Sequence, residues 1–180
     1  MMRVLIPYGT TEGQTARISE YIADVIRAHG HEAYAVDIKG SSHPKPDDYE
    51  AVIVGASIHM GKHEDYVQDF VRENRDTLER VPSAFFSVSL AAHDEPEVAA
   101  GYIEEFVQAT GWRPDKVGLF GGALLYTQYG FIKRHLMKKI VRDKGIQDTD
   151  TSRDYVYTEW ESVRHFVEEF LELLPSRTSR

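Results

Sequence analysis

Apolar positions along the chain follow two periods. Short unbroken apolar runs recur, and between them lie longer stretches in which apolar residues return every three or four positions. Val4-Leu5-Ile6 is the first run, and Ala51-Val52-Ile53-Val54-Gly55-Ala56-Ser57 is the clearest. Such runs predict strands buried on both faces of a parallel sheet. Glu32 to Ile38, Ser83 to Ala91 and Val117 to Leu125 are predicted as further strands. Ile18, Tyr21, Ile22, Val25 and Ile26 share one helical face, with Gly30 placed to end that helix. A helix predicted from about Glu64 to Glu79 turns Tyr66, Val67, Phe70, Val71 and Leu78 inward. The next carries Val98, Tyr102, Phe106 and Val107. A last helix begins near Thr158, where Thr158 and Glu161 have capping-box spacing. It buries Val163, Phe166, Val167, Phe170, Leu171 and Leu174 and stops at Pro175.

Strands alternating with helices predict an α/β fold, a doubly wound five-stranded parallel sheet of order 2-1-3-4-5 in one domain over residues 1–180. In that order a ligand binds beyond the carboxyl ends of the strands, at the switch between strands 1 and 3. The loop after strand 1, the loop Ser57 to Lys62 and the loop after strand 4 then meet at one crevice. A stretch of about residues 126–157 does not belong to the minimal fold and lies between strand 5 and the last helix. Long connections of this kind usually carry function. Its middle, Phe131 to Arg142, is helical by period, with Ile132, Leu136, Ile140 and Met137 on one side.

Composition narrows the classes. A chain of 180 residues, 42% of them apolar, can bury a sizeable core. It contains no cysteine, which excludes disulfides, thiol nucleophiles and thiolate metal sites and suits a cytoplasmic location. No apolar run approaches the roughly 20 residues of a spanning helix, and the first residues run straight into a strand pattern, so no leader is expected. A net charge of −8 disfavours nucleic acid as a partner. The charge is uneven: residues 131–144 hold six basic residues and one acidic. That basic segment suits an anionic ligand or an anionic membrane surface through Lys133, Arg134, Lys138, Lys139 and Arg142. A solvated helix face has the same pattern. The histidines are scattered without ligand spacing, so no metal site is expected. No oligomeric state is implied.

The chemistry centres on Tyr8-Gly9-Thr10-Thr11-Glu12-Gly13-Gln14-Thr15, between the first strand and the first helix. Helix starts offer unpaired N–H groups and partial positive charge, and this loop adds three Thr hydroxyls and a Gln amide. It holds no Lys or Arg, so a phosphate would be bound mainly by neutral donors. The Lys of a P-loop is missing after Gly13, and Gly9 and Gly13, the only glycines here, do not make the Gly-x-Gly-x-x-Gly of a dinucleotide fingerprint. What remains resembles the phosphate loop of flavodoxins, although an ordinary capped polar turn reads similarly.

Longer blocks extend the resemblance. Gly55-Ala56-Ser57-Ile58 with Gly61, Pro82 to Val88, Trp112-Arg113-Pro114-Asp115, Gly122-Ala123-Leu124 with Tyr126 and Tyr129, and Asp150-Thr151 followed by Val156 to Glu161 are similar to the flavodoxin-like, quinone-dependent protoporphyrinogen IX dehydrogenases. The resemblance spans nearly the whole chain, including the insert. It implies a flavodoxin-like fold and FMN as cofactor. Thr10, Thr11, Glu12, Gly13, Gln14 and Thr15 would hold the phosphate, Glu12 through its backbone only. Ser57, Ile58, His59 and Met60 would flank the flavin ring, with Ser87, Val88, Ser89, Leu90 and His93 on the strand-4 side. The resemblance further implies oxidation of protoporphyrinogen IX in haem biosynthesis, with electrons passed to menaquinone; the alternative is an FMN electron carrier of the flavodoxin type. The basic segment would meet the porphyrinogen propionates or bring the protein to the inner face of the cell membrane as a peripheral protein. No catalytic residue is identified, although His59, His63 and His93 stand near the expected site and can carry protons near neutral pH.

Overall fold

The structure, a computed structural model, describes residues 1–40, 43–128, 130–145 and 147–175. Tyr129 and the side chain of Ile132, both used in the sequence reading, lie outside the described residues. The chain opens with β1 (Arg3–Gly9), α1 (Gln14–Ala28), β2 (Glu32–Asp37) and β3 (Ala51–His59). A short β4 (Lys62–His63) precedes α2 (Asp65–Glu73), α3 (Arg75–Arg80), β5 (Ser83–Ser89), α4 (Ala91–Asp94) and α5 (Pro96–Thr110). The remainder is β6 (Lys116–Gly121), β7 (Ala123–Leu124), α6 (Phe131–Asp143), β8 (Tyr155–Val156) and α7 (Trp160–Glu172).

The main sheet has the order β2-β1-β3-β5-β6, all parallel, which is the predicted doubly wound order. Pleating sends alternate side chains to opposite faces. Val4, Ile6, Ile53 and Phe86 therefore join α1 and α7 in one core, while Leu5, Val52, Val54 and Phe85 join α2, α3 and α5 in the other. Covered on both faces, Val4, Leu5 and Ile6 are fully buried, which is why this strand reads as an unbroken apolar run. Gly55 is required by this packing: a Cβ there would lie 2.1 Å from the Phe86 ring. Trp112 plugs the second core, its indole N–H donating to Ser83 Oγ at 3.3 Å, while Asp115 accepts the Ser83 backbone N–H at 2.9 Å.

Several boundaries differ from expectation. The helix predicted from Glu64 to Glu79 is broken at Asn74, whose side-chain amide donates to the Phe70 carbonyl at 2.8 Å. The strand predicted to reach Ala91 stops at Ser89, where Ser89 Oγ accepts the Ala92 N–H and starts α4. Val98 is 41% exposed rather than inward. The strand predicted from Val117 to Leu125 ends at Gly121, and β7 leaves the sheet to pair antiparallel with β8. There the Tyr157 carbonyl crosses where a Cβ of Gly121 would stand, and the Tyr157 N–H donates to the Gly122 carbonyl at 2.9 Å. The insert thus begins and ends on its own two-stranded ribbon. It has a third small core of Leu124, Leu125, Tyr126 and Val141.

Within α6 the apolar face also differs. Val141 is buried and Met137 half-buried, whereas Leu136 and Ile140 are exposed at 55% and 37%. Period alone could not tell which of two adjacent stripes meets the body of the protein. Among the described residues no helix is long and apolar enough to cross a membrane.

Candidate functional site

The loop after β1 turns into α1 through Gly13, whose φ of 96° is left-handed and suited to glycine. Its N–H donates to Thr10 Oγ1 at 2.9 Å, which closes the turn. No acidic side chain lies in the first turn of α1. The positive end of the helix is therefore open to an anion. Two loop side chains are engaged outward. Thr11 Oγ1 donates to the Glu64 carboxylate, and the Glu12 carboxylate pairs with Lys133 Nζ of α6 at 2.8 Å. The loop has no cation of its own, yet the insert brings one to it and offsets the charge of Glu12. Beneath the loop lies the Tyr66 hydroxyl, against Gly9. Burial first, then Glu64 and Asp37, push its pKa up to about 12, so it remains protonated at ordinary pH.

Parallel register brings β1, β3 and β5 to one end, with Gly9 beside Ala56 and Ser57 beside Val88. Beyond it a crevice opens. Thr10, Thr11, Glu12, Gln14 and Thr15 line it from the first loop, and Ser57, Ile58 and His59 from the end of β3. Val88, Ser89 and Leu90 line it from β5, Gly122 and Ala123 from the start of the insert, and Met137 from α6. Three polar atoms in this wall are buried without a partner: Gln14 Oε1, Thr15 Oγ1 and Ser57 Oγ. Orphaned buried groups are costly, and three in one crevice point to a bound polar ligand. The residues fit FMN. A helix start and Thr15 offer the phosphate neutral donors, while Ile58, Val88, Leu90, Ala123 and Met137 give the crevice apolar surface suited to a flavin ring.

Four residues expected at the cofactor lie apart from this lining. Gly13 shapes the turn behind it. Met60, 89% exposed, sits at the tip of the β3–β4 hairpin with a φ of 52°. The stretch read as a loop from Ser57 is this hairpin, with Ile58 opposite His63 and His59 opposite Lys62. Ser87 is fully buried, its Oγ 2.7 Å from His63 Nε2. His93 stacks on Tyr157, the ring centres 4.4 Å apart, and lines a separate small pocket with Gly121 and Glu159. Of the three histidines singled out, His59 alone lines the crevice. His63 lies between Phe85 and Phe106, and burial pushes its pKa down to about 4.

The basic residues divide in two. Lys133 faces Glu12 and ties α6 to the first loop, while Arg134 Nε donates to the Tyr126 carbonyl at 3.0 Å within the insert. Lys138 is half-buried, while Lys139 and Arg142 are exposed. Sequence reasoning missed Gly122, Ala123 and Met137 in the crevice. It also misread Thr158, whose hydroxyl is not a helix cap: it donates to the Gly121 carbonyl at 2.6 Å and accepts from Gln14 Nε2 at 2.9 Å. Met137 falls one turn after Lys133 and was legible as part of that helix; no local pattern announces the Thr158 contact across the chain.

Comparison with known proteins agrees with this geometry. The family model described as a flavodoxin domain matches residues 5–152. The protoporphyrinogen IX dehydrogenase (quinone) of Escherichia coli strain K12 is 34% identical, covering 98% of this chain and 99% of its own. The Leishmania major protein of the same name is 35% identical over 95% of this chain and 75% of its own. Among solved structures, oxidised flavodoxin 1 from Bacillus cereus aligns with a TM-score of 0.56 at 18% identity, covering 96% of this chain and 99% of its own. An archaeal flavodoxin aligns with a TM-score of 0.55 at 16% identity over the same shares. At that identity the structural likeness carries the fold alone. With a flavodoxin-domain match over most of its length and full-length relatives above 30% identity, the chain belongs to the flavodoxin family and, within it, to the quinone-dependent protoporphyrinogen IX dehydrogenases.

Proposed function

We propose that this protein oxidises protoporphyrinogen IX to protoporphyrin IX with FMN and passes the electrons to menaquinone, as a step of haem biosynthesis. The observation that carries this reading is the insert. The kinship with dehydrogenases of that name runs through it, and α6 folds onto the cofactor crevice through Met137 and the Lys133–Glu12 pair. When bound, FMN supplies the redox chemistry of the reaction. The protein's own groups bind and shield. Thr15 and the start of α1 would hold the phosphate end, Ser57 and the apolar wall would flank the ring and keep water from it, and Met137 and Ala123 bring the insert against the crevice. Of the three histidines, His59 on the crevice wall is the one a substrate there would meet.

The exposed residues of α6 suit a second task. Leu136 and Ile140 stand exposed on the same helix as Lys139 and Arg142. A helix with apolar and cationic surface lies well on an anionic membrane, each cation contributing about 1 kcal/mol. On this reading the protein is cytoplasmic and peripheral at the inner face of the membrane, where quinone is found. The same cations suit the propionates of the porphyrinogen.

The test is an anaerobic assay of the FMN-loaded protein with protoporphyrinogen IX and a menaquinone analogue. Porphyrin fluorescence should rise only when both are present. FMN loading without porphyrin formation would sink the dehydrogenase reading and leave an electron carrier; failure to load FMN would sink both.

A further inference from the structure

The geometry points to Thr158 as a positioning residue that sets the polarity of the Gln14 amide, and through it makes the crevice demand a hydrogen-bond donor from its ligand. The inference rests on the FMN reading above. It follows from which groups can donate. A backbone carbonyl only accepts, so at 2.6 Å from the Gly121 carbonyl the Thr158 hydroxyl must direct its proton there. The Thr158 oxygen is then an acceptor for its other neighbour, 2.9 Å away, which must be the Gln14 NH2 group. Turning the amide over would set two oxygens against each other without a proton between them. Gln14 Oε1 is thereby held as the free end. Gln14 is 5% exposed, lines the crevice and has no partner for that oxygen.

An acceptor in that position cannot be satisfied by a phosphate, whose oxygens are acceptors at neutral pH. It needs a hydroxyl or an N–H. The ligand must therefore present a donor at that point, and on the FMN reading the ribityl hydroxyls meet the requirement. Thr15 and Ser57, as hydroxyls, can serve either sense of bond; Gln14, locked by Thr158, can serve only one. The lock spans three parts of the fold: the start of α1, the end of β6 and the residues between β8 and α7. Closing the insert correctly is what orients a side chain in the first loop.

The experiment measures binding of FMN and of its 2′-, 3′- and 4′-deoxy analogues by quenching of flavin fluorescence. In the unaltered protein one deoxy analogue should bind about tenfold or more weakly than FMN, as expected for a buried acceptor left unpaired. Thr158→Val should abolish most of that ratio, and Thr158→Ser should retain it. A merely structural role for Thr158 would weaken all four ligands alike and leave the ratio unchanged. Gln14→Met, which removes the acceptor but not Thr158, should also abolish the ratio; a ratio that persists in Gln14→Met overturns the inference even if Thr158→Val does not fold. Equal binding of all four flavins by the unaltered protein overturns this inference alone. Absence of FMN binding overturns it together with the cofactor reading.

Discussion

His63 shows how far a residue's surroundings can alter its sequence meaning. It follows a turn beside the expected site, and its unperturbed pKa would suit proton transfer at neutral pH. In the fold it is 2% exposed, edge-on to Phe85 and Phe106 at 5.2 Å, with Nε2 on Ser87 Oγ. Burial favours the neutral ring and pushes its pKa down to about 4. The unfolded chain, with His63 near about 6.5, takes up the proton first as pH falls. Stability from this group is therefore complete above about pH 7 and is lost progressively between about 6.5 and about 4. Between pH 7 and pH 5 the loss amounts to about 2 kcal/mol. Urea midpoints at the two pH values should fall markedly in the unaltered protein and clearly less in His63→Phe. Equal falls in both would remove His63 as the cause.

Two elements carry predictions of their own. The β3–β4 hairpin turns on Met60 and Gly61, with φ of 52° and 79°. Both central residues are left-handed, the arrangement in which Asn-Gly is favoured. Met60 is exposed, so little packing is lost on replacing it. Met60→Asn should raise stability by about 0.5–1 kcal/mol, seen as a higher melting temperature. A lower one would contradict the turn assignment. The α6 helix touches the loop after β1 through Lys133 and Glu12, whose side chains are 45% and 28% exposed. Such a pair contributes only about 0.3–1 kcal/mol to stability, but it also masks a negative charge beside the anion site. Lys133→Met should weaken FMN binding about threefold to tenfold, more at low salt, and Glu12→Gln in the same background should restore it. Fluorescence titration of the three proteins checks this, and unchanged affinity in Lys133→Met would rule it out.

At the scale of the whole molecule the charge is divided. Residues 131–144 carry +5 in a chain of −8, and the exposed part of that charge sits on α6 with Leu136 and Ile140. Lys133 and Lys144 tie α6 to the body through Glu12 and Glu95, and Arg134 is engaged by the Tyr126 carbonyl within the insert, so the exposed cations that α6 offers an outside partner are chiefly Lys139 and Arg142. In sedimentation with phosphatidylglycerol vesicles the protein should pellet at low salt and be released at high salt. The Lys139→Gln/Arg142→Gln variant should remain largely in solution while binding FMN normally. Equal pelleting of the two proteins, or pelleting with neutral phosphatidylcholine vesicles, would exclude electrostatic docking through this face.

Much of this was legible in the residues alone. The alternation of apolar runs and helical stripes determined the strands, their parallel burial and the doubly wound order, because a strand covered on both faces must be apolar throughout. The loop from Tyr8 to Thr15 and the end of β3 were placed at the crevice by that order. Other features depend on contacts between distant parts of the chain, which local patterns do not encode. Which stripe of α6 faces inward, that Glu12 meets Lys133, and that Thr158 bonds Gln14 and Gly121 instead of capping α7 were decided by where the insert packs, and that Ser87 turns away to His63 by how the β3–β4 hairpin folds against Phe85 and Phe106. Sequence by itself determined a flavodoxin-like sheet, a hydroxyl-rich loop at its switch point and a basic insert. Tertiary structure alone decided how that insert closes over the loop, because hydrogen-bond and ion-pair partners are chosen by proximity in space, not by position along the chain.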